Sequence, residues 1–94
     1  MPPAYYVTSS IKVRRDISAL RQQAAGREAE FASALHTIYE RLGIDPLDFG
    51  EPTFNYRHLR LTCFVAVIDL LSVEYCVDEH RMITYIRRVN LFGE

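Results

Sequence analysis

The stretch from Arg60 to Leu91 reads RLTCFVAVID, LLSVEYCV, DEHR and MITYIRRVNL, and the rest of the chain is organised around it. Three runs rich in β-branched and aromatic residues are bounded by short polar segments, the pattern of consecutive strands. It predicts a three-stranded antiparallel meander, with Asp78 to Arg81 as the tighter turn and the region from Asp69 to Leu71 as the other. In the middle run Leu71, Val73, Tyr75 and Val77 alternate with Ser72, Glu74, Cys76 and Asp78. Successive strand side chains point to opposite faces, so one face is apolar and the other polar. A bare three-stranded sheet is only marginally stable in water, so the apolar face needs a cover from elsewhere in the chain.

The first half supplies it. After Pro2 and Pro3, which cannot enter a ladder, Ala4 to Thr8 (AYYVT) reads as an edge or first strand. Thr8, Ser9 and Ser10 offer N-cap oxygens, and Val13, Ile17, Leu20 and Ala24 then recur at the spacing of one helical stripe, predicting a helix from Ile11 to Ala25. Gly26 interrupts it. Phe31, Leu35, Ile38 and Leu42 repeat the stripe in a second helix, with Glu28 and Glu30 in its first turn, Arg41 in its last and Gly43 as the expected stop. Two helices joined at a glycine form an antiparallel hairpin whose stripes can both face the sheet. Asp45-Pro46 and Gly50-Glu51-Pro52 mark a connecting loop from Ile44 to about Asn55, with Leu47, Phe49 and Phe54 expected to anchor it on the core. The expected fold is α+β, of order β-α-α-β-β-β, with the helical hairpin packed on one face of a small antiparallel sheet. Residues 1–94 are read as a single domain.

The 49% hydrophobic and 24% charged residues are ordinary globular values and exclude a disordered chain. A formal net charge of −1 excludes a tight nonspecific nucleic-acid binder held by its overall field. The longest apolar stretch, Cys63 to Ile68, is far short of the about 20 residues of a membrane span. Met1-Pro-Pro-Ala lacks the basic start and apolar core of a signal peptide, so a soluble cytoplasmic protein is expected. Cys63 and Cys76 fall on neighbouring strands. A disulfide between them is geometrically open, but two buried thiols behaving as small hydrophobes are expected in a reducing cytosol. His36, His58 and His80 have no ligand spacing, so no metal or other cofactor is expected. His58, beside Arg57 and Arg60, is the best placed of the three as a general base, but an ordinary surface histidine is the reading favoured for it.

Val73-Glu-Tyr75-Cys-Val77-Asp78-Glu79, followed by Ile83-Thr-Tyr85-Ile86-Arg-Arg88-Val89, resembles the terminal strand signature of the RelE/ParE superfamily of small toxins from type II toxin–antitoxin systems. Length and element order extend the resemblance over nearly the whole chain. It implies one of two activities. RelE-like members are metal-independent endoribonucleases acting on ribosome-bound messenger RNA, with basic residues on the open sheet face; ParE-like members bind and poison DNA gyrase. Both are held by an antitoxin, which is the partner the resemblance implies. Where RelE-like enzymes commonly carry an arginine in the middle strand this chain has Ser72, and where they carry a basic residue or histidine after the last strand it has Asn90-Leu91-Phe92 and then Gly93-Glu94. Glu74 adds negative charge where an RNA phosphate would lie. The expected function is therefore a toxin-like protein acting by protein binding, with an endoribonuclease and a non-toxic interaction module, including a homodimer through the edge at Ala4 to Thr8, as the alternatives.

The catalytic candidates are Arg60, Tyr85, Arg87 and Arg88, and the partner-binding candidates Arg57 and Glu74. Arg87 and Arg88 are adjacent on one strand and are expected on opposite faces, so that only one serves the open side. For either arginine the simpler alternative is a salt bridge to Asp69, Glu74 or Asp78. For Tyr85 it is a half-buried strand aromatic.

Overall fold

The computed structural model describes residues 4–92, so the expectations placed on Pro2, Pro3, Gly93 and Glu94 lie outside it. The chain forms β1 (Tyr6–Ser9), α1 (Ile11–Gln23), α2 (Glu28–Ile44), α3 (Pro46–Phe49), β2 (Glu51–Tyr56), a 3-10 turn (Arg57–Leu59), β3 (Leu61–Ile68), β4 (Leu71–Asp78) and β5 (Ile83–Leu91). The strands make one sheet in the order β1-β5-β4-β3-β2. The expected α+β architecture is borne out, with two corrections. The sheet has five strands, because the segment read as a loop to Asn55 adds β2 at one edge. It is also mixed, since β1 runs parallel to β5 while every other pairing is antiparallel. The turn lengths are reversed as well. Ile68 pairs with Leu71, leaving only Asp69 and Leu70 between the strands, whereas four residues separate Asp78 from its partner Ile83. Asp69 makes the short connection by adopting a left-handed backbone (φ 52°), which aspartate tolerates better than most residues.

Both helical stripes face the sheet. Val13, Ile17 and Ala24 of the first and Phe31, Ile38 and Leu42 of the second are buried with Ala34, against Phe64, Ala66, Leu71, Val73, Tyr75, Val77, Ile86 and Val89. Ser10 caps α1, its hydroxyl accepting from the Val13 amide at 3.1 Å. Gly26 takes φ 90° between the helices, and the Glu28 carboxylate accepts from its amide at 3.0 Å. Gly43 is not the stop. The second helix runs through it, buried, to Ile44, and ends at Asp45 (φ −142°) because the residue before Pro46 is pushed out of the helical region. The carbonyls this last turn leaves without a helical partner are used elsewhere in the fold: Gly43 accepts from the Ala4 and Tyr5 amides at 2.8 and 2.9 Å, and Leu42 from the buried Thr84 hydroxyl at 3.0 Å. These bonds fix the second helix to both strands of the parallel β1–β5 pair at their N-terminal end. Of the three anchors expected for the connection, only Phe49 serves. It stacks on Tyr75 at 6.1 Å, while Leu47 and Phe54 are exposed. No helix among the described residues is long and apolar enough to cross a membrane.

Candidate functional site

The helices cover one face of the sheet and leave the other open. Strand register arranges the open face in rows. Phe54, Cys63, Cys76, Tyr85 and Thr8 form one row, with Tyr56, Leu61, Asp78, Ile83 and Tyr6 below it. Above it run Glu51, Val65, Glu74 and Arg88, then Val67, Ser72 and Asn90. Cys63 and Cys76 are directly opposed and joined in a disulfide, which corrects the expectation of two reduced thiols. Opposed positions on adjacent antiparallel strands bring the two Cβ atoms close, and that proximity outweighs a prior drawn from compartment alone.

Arg87 and Arg88 do not point to opposite faces. Between Glu74 and Tyr75 the β4–β5 register slips, with Glu74 opposite Arg88 and Tyr75 opposite Ile86, so Arg87 is the extra residue of a β-bulge. A bulge suspends strict alternation, and both arginines reach the open side. Arg88 meets Glu74 at 3.7 Å, the salt bridge foreseen as its simpler reading, with both side chains well exposed. Arg87 extends across β4 and β3 until its Nη1 lies 3.5 Å from the Tyr56 hydroxyl on β2. Tyr56 itself packs against Phe54, ring centroids 4.6 Å apart.

Two adjoining hollows open on this face toward the β4–β5 loop. One, of about 320 Å³, lies between Tyr56, Leu61, Cys76, Tyr85 and Arg87. The other, of about 370 Å³, shares Leu59, Leu61 and Tyr85 with it and gathers His58, Arg60, Asp78, His80 and Arg81. Three of the four catalytic candidates, Arg60, Tyr85 and Arg87, thus converge at one end of the sheet. Arg88, held by Glu74, lines neither hollow, and Arg57 is exposed on the 3-10 turn outside both. Tyr85 is half-buried, as expected of a strand aromatic. The residues missed are His80, Arg81, Asp78 and Tyr56. The signal for them is compositional: Tyr56-Arg-His-Leu-Arg60 and Asp78-Glu-His-Arg81 are two short segments each carrying a histidine and arginine, and the Leu61–Asp78 pairing sets them side by side. Asp78 is only 7% exposed and closes the loop internally, its Oδ1 accepting from the Arg81 amide at 2.9 Å. Three arginines against this one carboxylate leave the end of the open face locally positive on a chain whose net charge is −1. Among the described residues no group of three or more His, Cys, Asp or Glu is placed to hold a metal ion.

No protein-family model matches the sequence, and no curated protein matches it. Solved structures do. The chain aligns over 100% of its length with 97% of a chain in the RelBE2 toxin–antitoxin complex of Mycobacterium tuberculosis, at 22% identity and a TM-score of 0.71. It aligns over 97% of its length with 98% of a chain in the archaeal RelE–RelB complex of Pyrococcus horikoshii OT3, at 17% identity and a TM-score of 0.64. With helices packed on one face of a five-stranded sheet, and end-to-end alignment with chains of two such complexes, the protein has the RelE toxin fold.

Proposed function

We propose that this protein is the toxin-type component of a two-protein toxin–antitoxin pair, working in the cytoplasm as a single domain, and that it acts by binding protein through its open sheet face. The fold supports the first part. The observation that carries the second is the composition of that face. Its middle is an uncharged floor of Phe54, Val65, Val67 and the Cys63–Cys76 pair, over which Arg87 reaches Tyr56. Tyrosine and arginine over an apolar floor are the residue types that carry most binding energy at protein interfaces. Arg87 forms no ion pair among the described residues, so an acidic side chain of an antitoxin or of a target protein would complete it. Arg88 is already occupied by Glu74, and the Glu74 carboxylate adds a charge that repels an RNA backbone.

The test is growth of a bacterial culture after induced expression of the chain alone, with RNA integrity followed on the same samples. Arrest with intact messenger RNA, relieved by co-expression of the protein encoded beside it, is the expected result. Arg87→Ala with Tyr56→Phe should weaken capture of that neighbour. Arrest accompanied by cut messenger RNA would replace this reading with the endoribonuclease, and absence of arrest would remove the toxin.

A further inference from the structure

Protein binding over the apolar floor leaves the 370 Å³ hollow at the loop end of the sheet without a role. Two segments far apart in sequence build it: His58 and Arg60 come from the turn before β3, His80 and Arg81 from the β4–β5 loop, while Leu59 and Tyr85 wall it. Both segments hold unusual backbone. Arg60 (φ 55°) and Met82 (φ 58°), the latter directly after Arg81, are left-handed, a conformation unfavourable for an ordinary L residue. Non-glycine residues kept there point to a position the fold holds for a purpose. The lining acid, Asp78, closes the loop through Oδ1 and meets the exposed Arg81 guanidinium through Oδ2 at 3.8 Å, a long contact that a phosphate can replace, while Arg60 forms no ion pair among the described residues. Leu59 stands 63% exposed at the mouth, a large apolar surface with no cover.

We propose that this hollow binds a nucleoside monophosphate, its phosphate held by Arg60 and Arg81 with His58 and His80, and its base laid against Leu59 and Tyr85. Two guanidinium forks and two imidazoles offer more donors than the two oxygens of a carboxylate can accept, and they match the three terminal oxygens of a phosphate monoester. A bare phosphate would leave the Leu59 and Tyr85 walls bare and most of the volume unfilled. A nucleotide fills it, and an aromatic ring is a stacking platform for any base. The site is separate from the apolar floor and does not depend on the protein-binding reading.

The experiment is a titration of the full 94-residue chain with AMP, followed by backbone amide NMR, with adenosine, inorganic phosphate and a hexaglutamate peptide as parallel ligands. AMP should shift the amides of residues 57–61 and 78–82, with adenosine and phosphate each binding at least about tenfold more weakly. Arg81→Gln, in an exposed loop, and Arg60→Asn, which keeps a side chain tolerant of positive φ, should each weaken AMP by about tenfold with the spectrum otherwise native, while His36→Gln on the second helix leaves it unchanged. Arg81→Gln decides the matter if Arg60→Asn fails to fold. No amide shift in these segments at millimolar AMP would overturn the proposal. So would phosphate binding as tightly as AMP, which makes the hollow a simple anion site, or hexaglutamate displacing AMP at equal concentration, which makes it a peptide site.

Discussion

Gly50→Ala should be among the most damaging single-methyl changes in the molecule, and the reason is space, not backbone freedom. Gly50 has φ −113° and ψ −179°, an extended conformation any residue adopts. A Cβ built there lies 2.7 Å from the Val65 carbonyl oxygen and 2.8 Å from the Tyr75 hydroxyl. Neither neighbour yields cheaply: Val65 is backbone inside β3, and Tyr75 is fully buried with its hydroxyl donating to the Pro46 carbonyl at 2.6 Å. Overpacking a well-filled site costs about 1–3 kcal/mol, and pushing the tyrosine off its acceptor leaves a buried polar pair unmade at about 1–3 kcal/mol; moving the tyrosine relieves part of the overlap, so the two do not add in full and we expect roughly 2–4 kcal/mol in all. In a domain of this size that corresponds to a Tm lower by about 10–25 °C. The assay is urea unfolding by far-UV circular dichroism, compared at constant m. Gly26→Ala is the control, with φ 90° and nothing within 4 Å, so its loss of about 1–2 kcal/mol is conformational alone. In a Tyr75→Phe background the hydroxyl is gone and Gly50→Ala should cost at least about 1 kcal/mol less, a coupling a double-mutant cycle reads directly. A Gly50→Ala variant within about 0.5 kcal/mol of the parent would mean that neither Val65 nor the Tyr75 hydroxyl limits the space at Gly50, and an equal cost in both backgrounds that the hydroxyl does not.

Thr84→Val removes the donor to the Leu42 carbonyl inside the core and should destabilise by about 1–3 kcal/mol in the same urea assay. Reducing the Cys63–Cys76 pair, separated by 13 residues in sequence, should remove about 3 kcal/mol if loop closure in the unfolded chain is the source, seen as a lower Tm with reductant that Cys63→Ala/Cys76→Ala reproduces without it. Burial pushes the Tyr75 hydroxyl up to about 12, against the smaller opposing pull of the Gly50 amide and the Arg41 charge. The native state therefore keeps this proton where an unfolded chain, with its ordinary tyrosine value of about 10, has released it. Stability falls as pH rises from about 10 to about 12, and Tyr75→Phe should flatten that part of the curve in unfolding measured against pH.

What could be read from the sequence, and what could not, divides along a physical line. The helical stripes, the apolar face Leu71, Val73, Tyr75 and Val77, and the Ser10 cap are periodic or adjacent signals, and each is where the pattern puts it. β2 was hidden because Glu51 to Tyr56 is exposed along its whole length; a strand that buries neither face has no apolar alternation to show. The parallel β1–β5 pairing was hidden because it joins the two ends of the chain, and nothing local encodes it.

The site failed to appear for a related reason: it depends on register, which a single misjudged turn displaces. With Asp69 and Leu70 alone between β3 and β4, counting outward places Cys63 opposite Cys76 and Leu61 opposite Asp78. The first pairing gives the disulfide, and the second brings Arg60 and His58 beside His80 and Arg81. A longer turn at that point, as the sequence suggests, shifts every one of these pairs and scatters the basic residues over unrelated positions. The β-bulge acts in the same way at the other boundary. Had β5 kept strict alternation, Arg87 or Arg88 would have been lost to the helical side; by inserting one residue the chain keeps Ile86 and Val89 in the core and still brings two consecutive guanidiniums to the open face. The chemistry of this surface therefore rests on one two-residue turn and one irregular position, and deleting Arg87 should test that dependence: the Tyr75–Ile86 and Glu74–Arg88 pairs then become consecutive, so Ile86 and Val89 stay in the core, Arg88 stays opposite Glu74, and the open face loses only the guanidinium that reaches Tyr56.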